Sequence, residues 1–145
     1  MAAITDLGAL AARPLFEPVA GWLHSFGGFA PPDASTLNAA LAGIAPPQSA
    51  GGAPIRFVRP EAGKGSYEER VFARGEVETR PGNWHDFFNA LAWLAYPQAK
   101  RSLNGRHHAA LQMQRAAGSV VRGSVRDAIT QFDECGIVVA SASAA

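Results

Sequence analysis

Between residues 83 and 108 the chain reads NWHDFFNALAWLAYPQAKRSLNGRHH, and three of its four histidines, His85, His107 and His108, lie there. Imidazole binds transition metals and exchanges a proton near neutral pH. His85 and Asn89 are four residues apart, and Asp86 and Asn89 three apart, so on a helix these side chains are neighbours. If the chain folds back after Pro97, His107 and His108 approach the same point, where Asp127, Asp133 or Glu134 can add oxygen. The chemistry expected of such a set is metal-assisted hydrolysis. His85, His107 and His108 are then the candidate ligands of a divalent ion. Asp86 and Asn89 are the candidate catalytic residues, with Asp86 as ligand or base and the ion activating water.

The same residues have a plainer reading. Asp86 can be a capping residue, Asn83 and Asn89 can satisfy backbone groups, and His85 can be a hydrogen-bonded ring that fixes a helix end. The HEXXH pattern of zinc hydrolases is absent, because Asp86 and Asn89 stand in the wrong places. There is no Gly-x-Ser-x-Gly elbow and no phosphate-cradling glycine loop. Cys135 is the single cysteine. It excludes a disulfide framework within the chain and fits a reducing, cytoplasmic setting.

Composition supplies a second class of function. The chain has 145 residues, a length expected of one domain, with 48% hydrophobic and only 17% charged residues. The net charge of +1 argues against polyanion binding by the molecule as a whole. The charge is uneven, however. From 98 to 126 there are six bases and no acid. A binding module contacting nucleic acid or a protein partner through segment 100–126 is therefore the alternative to the hydrolase, with Lys100, Arg101, Arg106 and Arg126 as the polyanion contacts. The interleaved residues are Ala, Gln and Ser rather than stacking aromatics. No signal peptide and no membrane span are read, so no membrane partner is expected.

These side chains need elements to position them. Trp84, Phe87, Phe88, Leu91 and Ala95 follow one apolar helical face, with Asn83 as cap and Asp86 in the first turn, which predicts a central helix over 84–96. Pro97 opens a following helix that is expected to weaken at Asn104–Gly105, leaving 106–115 as a third segment. A short helix is expected from Ser35 or Thr36 to Ile44, capped by Ser35. Segment 55–58 has strand character, 67–72 reads as a strand or a short helix, and 76–80 reads as irregular. Segments 128–132 and 137–140 read as a hairpin around the turn at 133–136. The fold class expected is α+β: a single domain over 1–140 with a central helix 84–96, a following helix, small antiparallel strands and a C-terminal hairpin. Residues 1–60 form its variable N-terminal part, and 141–145 a frayed tail.

Four pieces carry a resemblance: YEERVF at 67–72, TRPGNWHDFFNALAWLAYPQAK at 79–100, LNGRHH at 103–108 and RDAITQFDECG at 126–136. Over 67–140, about half the chain, the sequence resembles the domain of unknown function 3025 family of uncharacterised bacterial proteins. The family has no established activity, so the resemblance implies no mechanism. Its members tend to be longer, which implies that this chain is a shortened member.

Overall fold

A computed structural model describes residues 6–61, 65–118 and 123–135. Proline and glycine break the first part of the chain into short pieces: α1 (Leu7–Ala11), a 3₁₀ segment (Pro14–Val19) and α2 (Ala20–Phe26). Helix α3 (Ala34–Leu41) follows. Its cap is Asp33 rather than Ser35, with the Thr36 N–H donating to Asp33 Oδ1 at 2.8 Å. A carboxylate two residues earlier captures the free first-turn amide, and the helix starts accordingly, at Ala34.

Strand β1 (Arg56–Val58), helix α4 (Tyr67–Arg74) and strand β2 (Glu76–Glu78) form one unit. Segment 67–72 is thus helical, and segment 76–80 contributes a strand. The two strands pair in parallel, Phe57 opposite Val77, and not in the antiparallel sense expected. The chain returns through α4, and such a crossover brings the second strand back in the direction of the first. Gly75 makes the tight join between α4 and β2. Its φ is +67°, and a Cβ there would sit 2.0 Å from the Pro54 carbonyl oxygen, so only glycine fits.

A two-stranded sheet leaves backbone groups on its outer edges. The edge of β1 is closed by a side chain. Asn38 on α3 donates to the Phe57 carbonyl at 2.8 Å and accepts from the Phe57 N–H at 2.8 Å. Its carboxamide stands in for a third strand and ties the N-terminal helices to the sheet.

Helix α5 (Trp84–Ala95) buries Phe87, Ala90, Leu91, Trp93 and Leu94. Asn83 caps it, accepting from the Asp86 N–H at 3.0 Å. The helix stops at Tyr96, because the residue before a proline is pushed out of helical angles. Aromatic contacts fasten the N-terminal pieces to it: Phe16 stacks on Phe88 with centroids 5.8 Å apart, and Phe26 meets Phe87 edge-on at 5.9 Å. One hydrophobic cluster therefore runs from Leu7 on α1 to Leu94 on α5.

Helix α6 (Pro97–Ala116) continues through Asn104–Gly105 without the expected break. Asn104 is buried and holds two backbone groups, accepting from the Ala50 N–H at 3.2 Å and donating to the Glu68 carbonyl at 3.3 Å. Gly105 lets the helix lie against the 48–54 loop, where an added Cβ would come 3.2 Å from the Ala50 Cβ. These contacts outweigh the weak helix propensity of glycine.

The last described element is α7 (Ser124–Cys135), which replaces the first strand of the expected hairpin. Val125, Ile129 and Phe132 follow a helical spacing, and so do Arg126, Thr130 and Asp133 on the stripe one residue, about 100°, around the helix. The second set faces α6, and satisfying it there settles the ambiguity of the short apolar run. Segments 137–140 and 141–145 lie outside the described residues. Among the described residues the molecule is mostly helical, with β1 and β2 as its sheet.

Replacing Asn38 by Ala removes partners from two backbone groups of the buried Phe57. The unfolding free energy should fall by about 2–6 kcal/mol, at roughly 1–3 for each of the two orphaned groups. Urea denaturation measures this, and an unchanged midpoint would refute the edge-closing role.

Candidate functional site

Helices usually bury apolar stripes. The inward stripe of α6 is Lys100, Asn104, His107 and Leu111, polar in its first three positions. Polar groups cannot be packed against hydrocarbon without partners, and here they face a cleft of about 780 Å³. Helix α4 lines it with Tyr67, Glu68 and Val71, and α5 with His85, Asp86, Phe88, Asn89 and Trp93. The end of β2 and the turn after it supply Glu78 and Arg80, and α7 supplies Arg126, Thr130, Asp133 and Glu134.

Most of its charges are matched. Asp86 takes the Arg80 backbone N–H and Nε on Oδ2 and Nη2 on Oδ1, each at 2.8 Å. Burial by itself would raise the Asp86 pKa. The hydrogen bonds from Arg80, its charge and that of His85 outweigh burial and hold the carboxyl below its usual value. Lys100, though buried, donates from Nζ to both oxygens of Asp133, at 2.6 and 2.8 Å, and its ammonium lies 5.9 Å from the centre of the Trp93 ring. Arg70 pairs with Glu78. The His107 Nδ1 is 4.0 Å from Glu68 Oε1.

Tyr67 and Asn89 form the neutral part of the site. Asn89 Nδ2 donates to the Tyr67 oxygen at 3.2 Å. Burial pushes the Tyr67 phenol well above its ordinary pKa, against the opposing pull of the Asn89 hydrogen bond. The phenol keeps its proton at neutral pH and can donate it.

The residues singled out in the sequence divide as follows. His85, Asp86, Asn89 and His107 all line the cleft, His85 at its exposed rim. His108 points elsewhere and stacks on Phe72, with centroids 3.7 Å apart and planes 7° from parallel. Among the described residues no three His, Cys, Asp or Glu side chains form a group able to hold a metal ion. The donor chemistry agrees, because both Asp86 oxygens are taken by Arg80 and His108 is stacked outside the cleft. The residues present do not fit the expected ion. Asp133 and Glu134 line the cleft, and Asp127 does not.

The four candidate bases do not share one face. Lys100 and Arg126 line the cleft, Arg101 borders a separate depression with Pro46 and Pro97, and Arg106 is exposed. Reading by residue type passed over Tyr67, Glu68 and Thr130. The spacing of Lys100, Asn104 and His107 was a signal in the sequence, since it puts three polar residues on one helical stripe.

The protein-family model described as "Protein of unknown function (DUF3025)" matches residues 55–145, which include both strands and every helix that lines the cleft. The chain belongs to the DUF3025 family. No curated protein and no solved structure matches it. The DUF3025 region thus holds the cleft, while α1, α2 and α3 lie ahead of it and support α5 and β1. Among the described residues no helix is long and apolar enough to cross a membrane.

The lowered Asp86 pKa has a definite sign. Its stabilising effect is present above the unfolded value, about 3.9, and is lost as pH falls through the lower folded value. Asp86→Asn should melt below the wild type at pH 7, and the gap in Tm should narrow as the pH drops below about 4. Circular dichroism melts across pH 3–8 test this, and a gap independent of pH would rule out the ion pair as its source.

Proposed function

We propose that this chain is a small-molecule-binding domain whose cleft accepts a polar ligand between α4, α5, α6 and α7. The observation that carries this reading is the convergence of polar side chains from all four helices on one cavity of about 780 Å³. That volume lies in the usual range for ligand sites, roughly 300–1,000 Å³. The neutral donor set of Tyr67 and Asn89 can orient a ligand. His107, with Nδ1 4.0 Å from Glu68 Oε1, is the group in the cleft whose type suits proton transfer.

This reading replaces the metal-dependent hydrolase, whose donor set does not assemble among the described residues. A polyanion-binding surface along segment 100–126 has less support, because two of its four bases face the cleft. Acid–base chemistry in the cleft remains compatible with the proposal, and binding comes before it.

The test is a titration of the ¹⁵N-labelled chain with a panel of organic acids, amines, sugars and nucleosides. The expected result is saturable movement of backbone amide signals from α4, α5 and α6 around Tyr67, Asn89 and His107 for at least one class. Asn89→Leu, which removes a donor at the cleft wall, should weaken that binding by about tenfold. Signals that stay fixed across the panel, or that move only far from the cleft, would overturn the proposal.

A further inference from the structure

The cleft is lined by three arginine or lysine side chains, Arg80, Lys100 and Arg126. The first two are closed off by Asp86 and Asp133. Arg126 is not matched in this way. Its Nη1 donates to the neutral Gln114 Oε1 at 3.1 Å. Its Nε is buried and has no hydrogen-bond partner among the described residues. A buried donor without a partner is uncommon in folded proteins and calls for an explanation, a bound water, ion or ligand among them.

The surroundings explain why the protein does not supply one. One helical turn along α7 from Arg126, where an acid would form an i, i+4 pair, stands Thr130, and its hydroxyl donates to the Arg126 carbonyl at 2.9 Å. Glu134 is two turns away, about 12 Å along the axis. Asp127 does not line the cleft. Arg70 also has a buried Nε without a partner, but it does not line the cleft, and it is already ion-paired with Glu78.

We infer that Arg126 is the seat for an oxyanion, so that the ligand of the cleft carries a carboxylate or a phosphate group. This deepens the small-molecule reading and rests on it. A guanidinium offers planar, two-pronged edges that match these groups side-on. Gln114 holds one prong, and Nε, shielded from solvent, is left for an oxyanion to engage once bound. Gln114 and His107 are seven residues apart on α6, about 10 Å along the helix. A ligand anchored at Arg126 therefore reaches His107 and Tyr67 if it has the length of a small metabolite.

The experiment follows the Nε–Hε signal of Arg126 in the full ¹⁵N-labelled chain. The probes are inorganic phosphate, phenyl phosphate, acetate and succinate, at constant ionic strength set with chloride. The inference requires that this signal move and saturate with the phosphates, the carboxylates or both. Saturation by only one kind identifies the group. Arg126→Gln should weaken the effective probe by about tenfold or more, as expected for loss of a charged two-pronged donor. Arg101→Gln, outside the cleft, should leave it unchanged. An Arg126 signal that no probe moves overturns the oxyanion seat in the wild type itself, whatever the variant's stability. If the wider panel still moves cleft amides, the small-molecule reading survives that failure. If it does not, both fall together.

Discussion

The constraint on which this structure depends is the burial of Lys100, Asn104 and His107 along one stripe of α6. A helix with that stripe cannot be docked on a hydrocarbon surface, because each polar group needs a partner once water is removed. The molecule meets the requirement in three ways. Asn104 is saturated by backbone groups from the 48–54 loop and α4. Lys100 is neutralised by Asp133 on α7. His107 has its Nδ1 4.0 Å from Glu68 Oε1, close enough for an electrostatic contact but not a hydrogen bond. The position of α4, α7 and the 48–54 loop thus follows from what one helix must satisfy, and the cleft is the space enclosed by these partners.

The apolar core does a different job. Phe87, Leu91 and Trp93 on α5 join Leu7, Leu23 and Leu37 from the N-terminal helices and Phe57 and Val77 from the strands. The core holds α5 rigidly, and α5 presents Asp86 and Asn89 to the cleft from its other side. The Arg80–Asp86 pair anchors the turn between β2 and α5 to the start of that helix. A residue type associated with catalysis is used here to hold a chain reversal. Among the described residues Arg126 is bonded to the neutral Gln114, whereas Arg80 and Lys100, the other basic side chains of the cleft, are each paired with a carboxylate.

Long, strongly patterned elements were legible in the sequence. The central helix, its Asn83 cap and the start of the next helix at Pro97 all follow from spacing and backbone sterics, and the structure has them within a residue. Short segments were not. A three-residue strand such as Glu76–Glu78 carries too little pattern to be distinguished from a loop, and its pairing with Arg56–Val58 depends on groups twenty residues away. The run at 128–132 fits either a strand or a helix by composition. Arg126 bonded to Gln114 and Asp133 bonded to Lys100 favour the helix, and neither contact is local.

The candidate site divides along the same line. Residue types and spacing by themselves marked the 83–108 segment and placed His85, Asp86 and Asn89 on one helix, since helical neighbours are set by local geometry. Only the tertiary structure decided which of them were left for chemistry. It committed Asp86 to Arg80, turned His108 onto Phe72, and brought Tyr67, Glu68 and Arg126 to the cleft from helices distant in sequence. The physical reason is that periodicity fixes the direction of a side chain relative to its own helix. Whether that side chain meets a partner, a ring or open space depends on packing between helices, which local spacing does not encode.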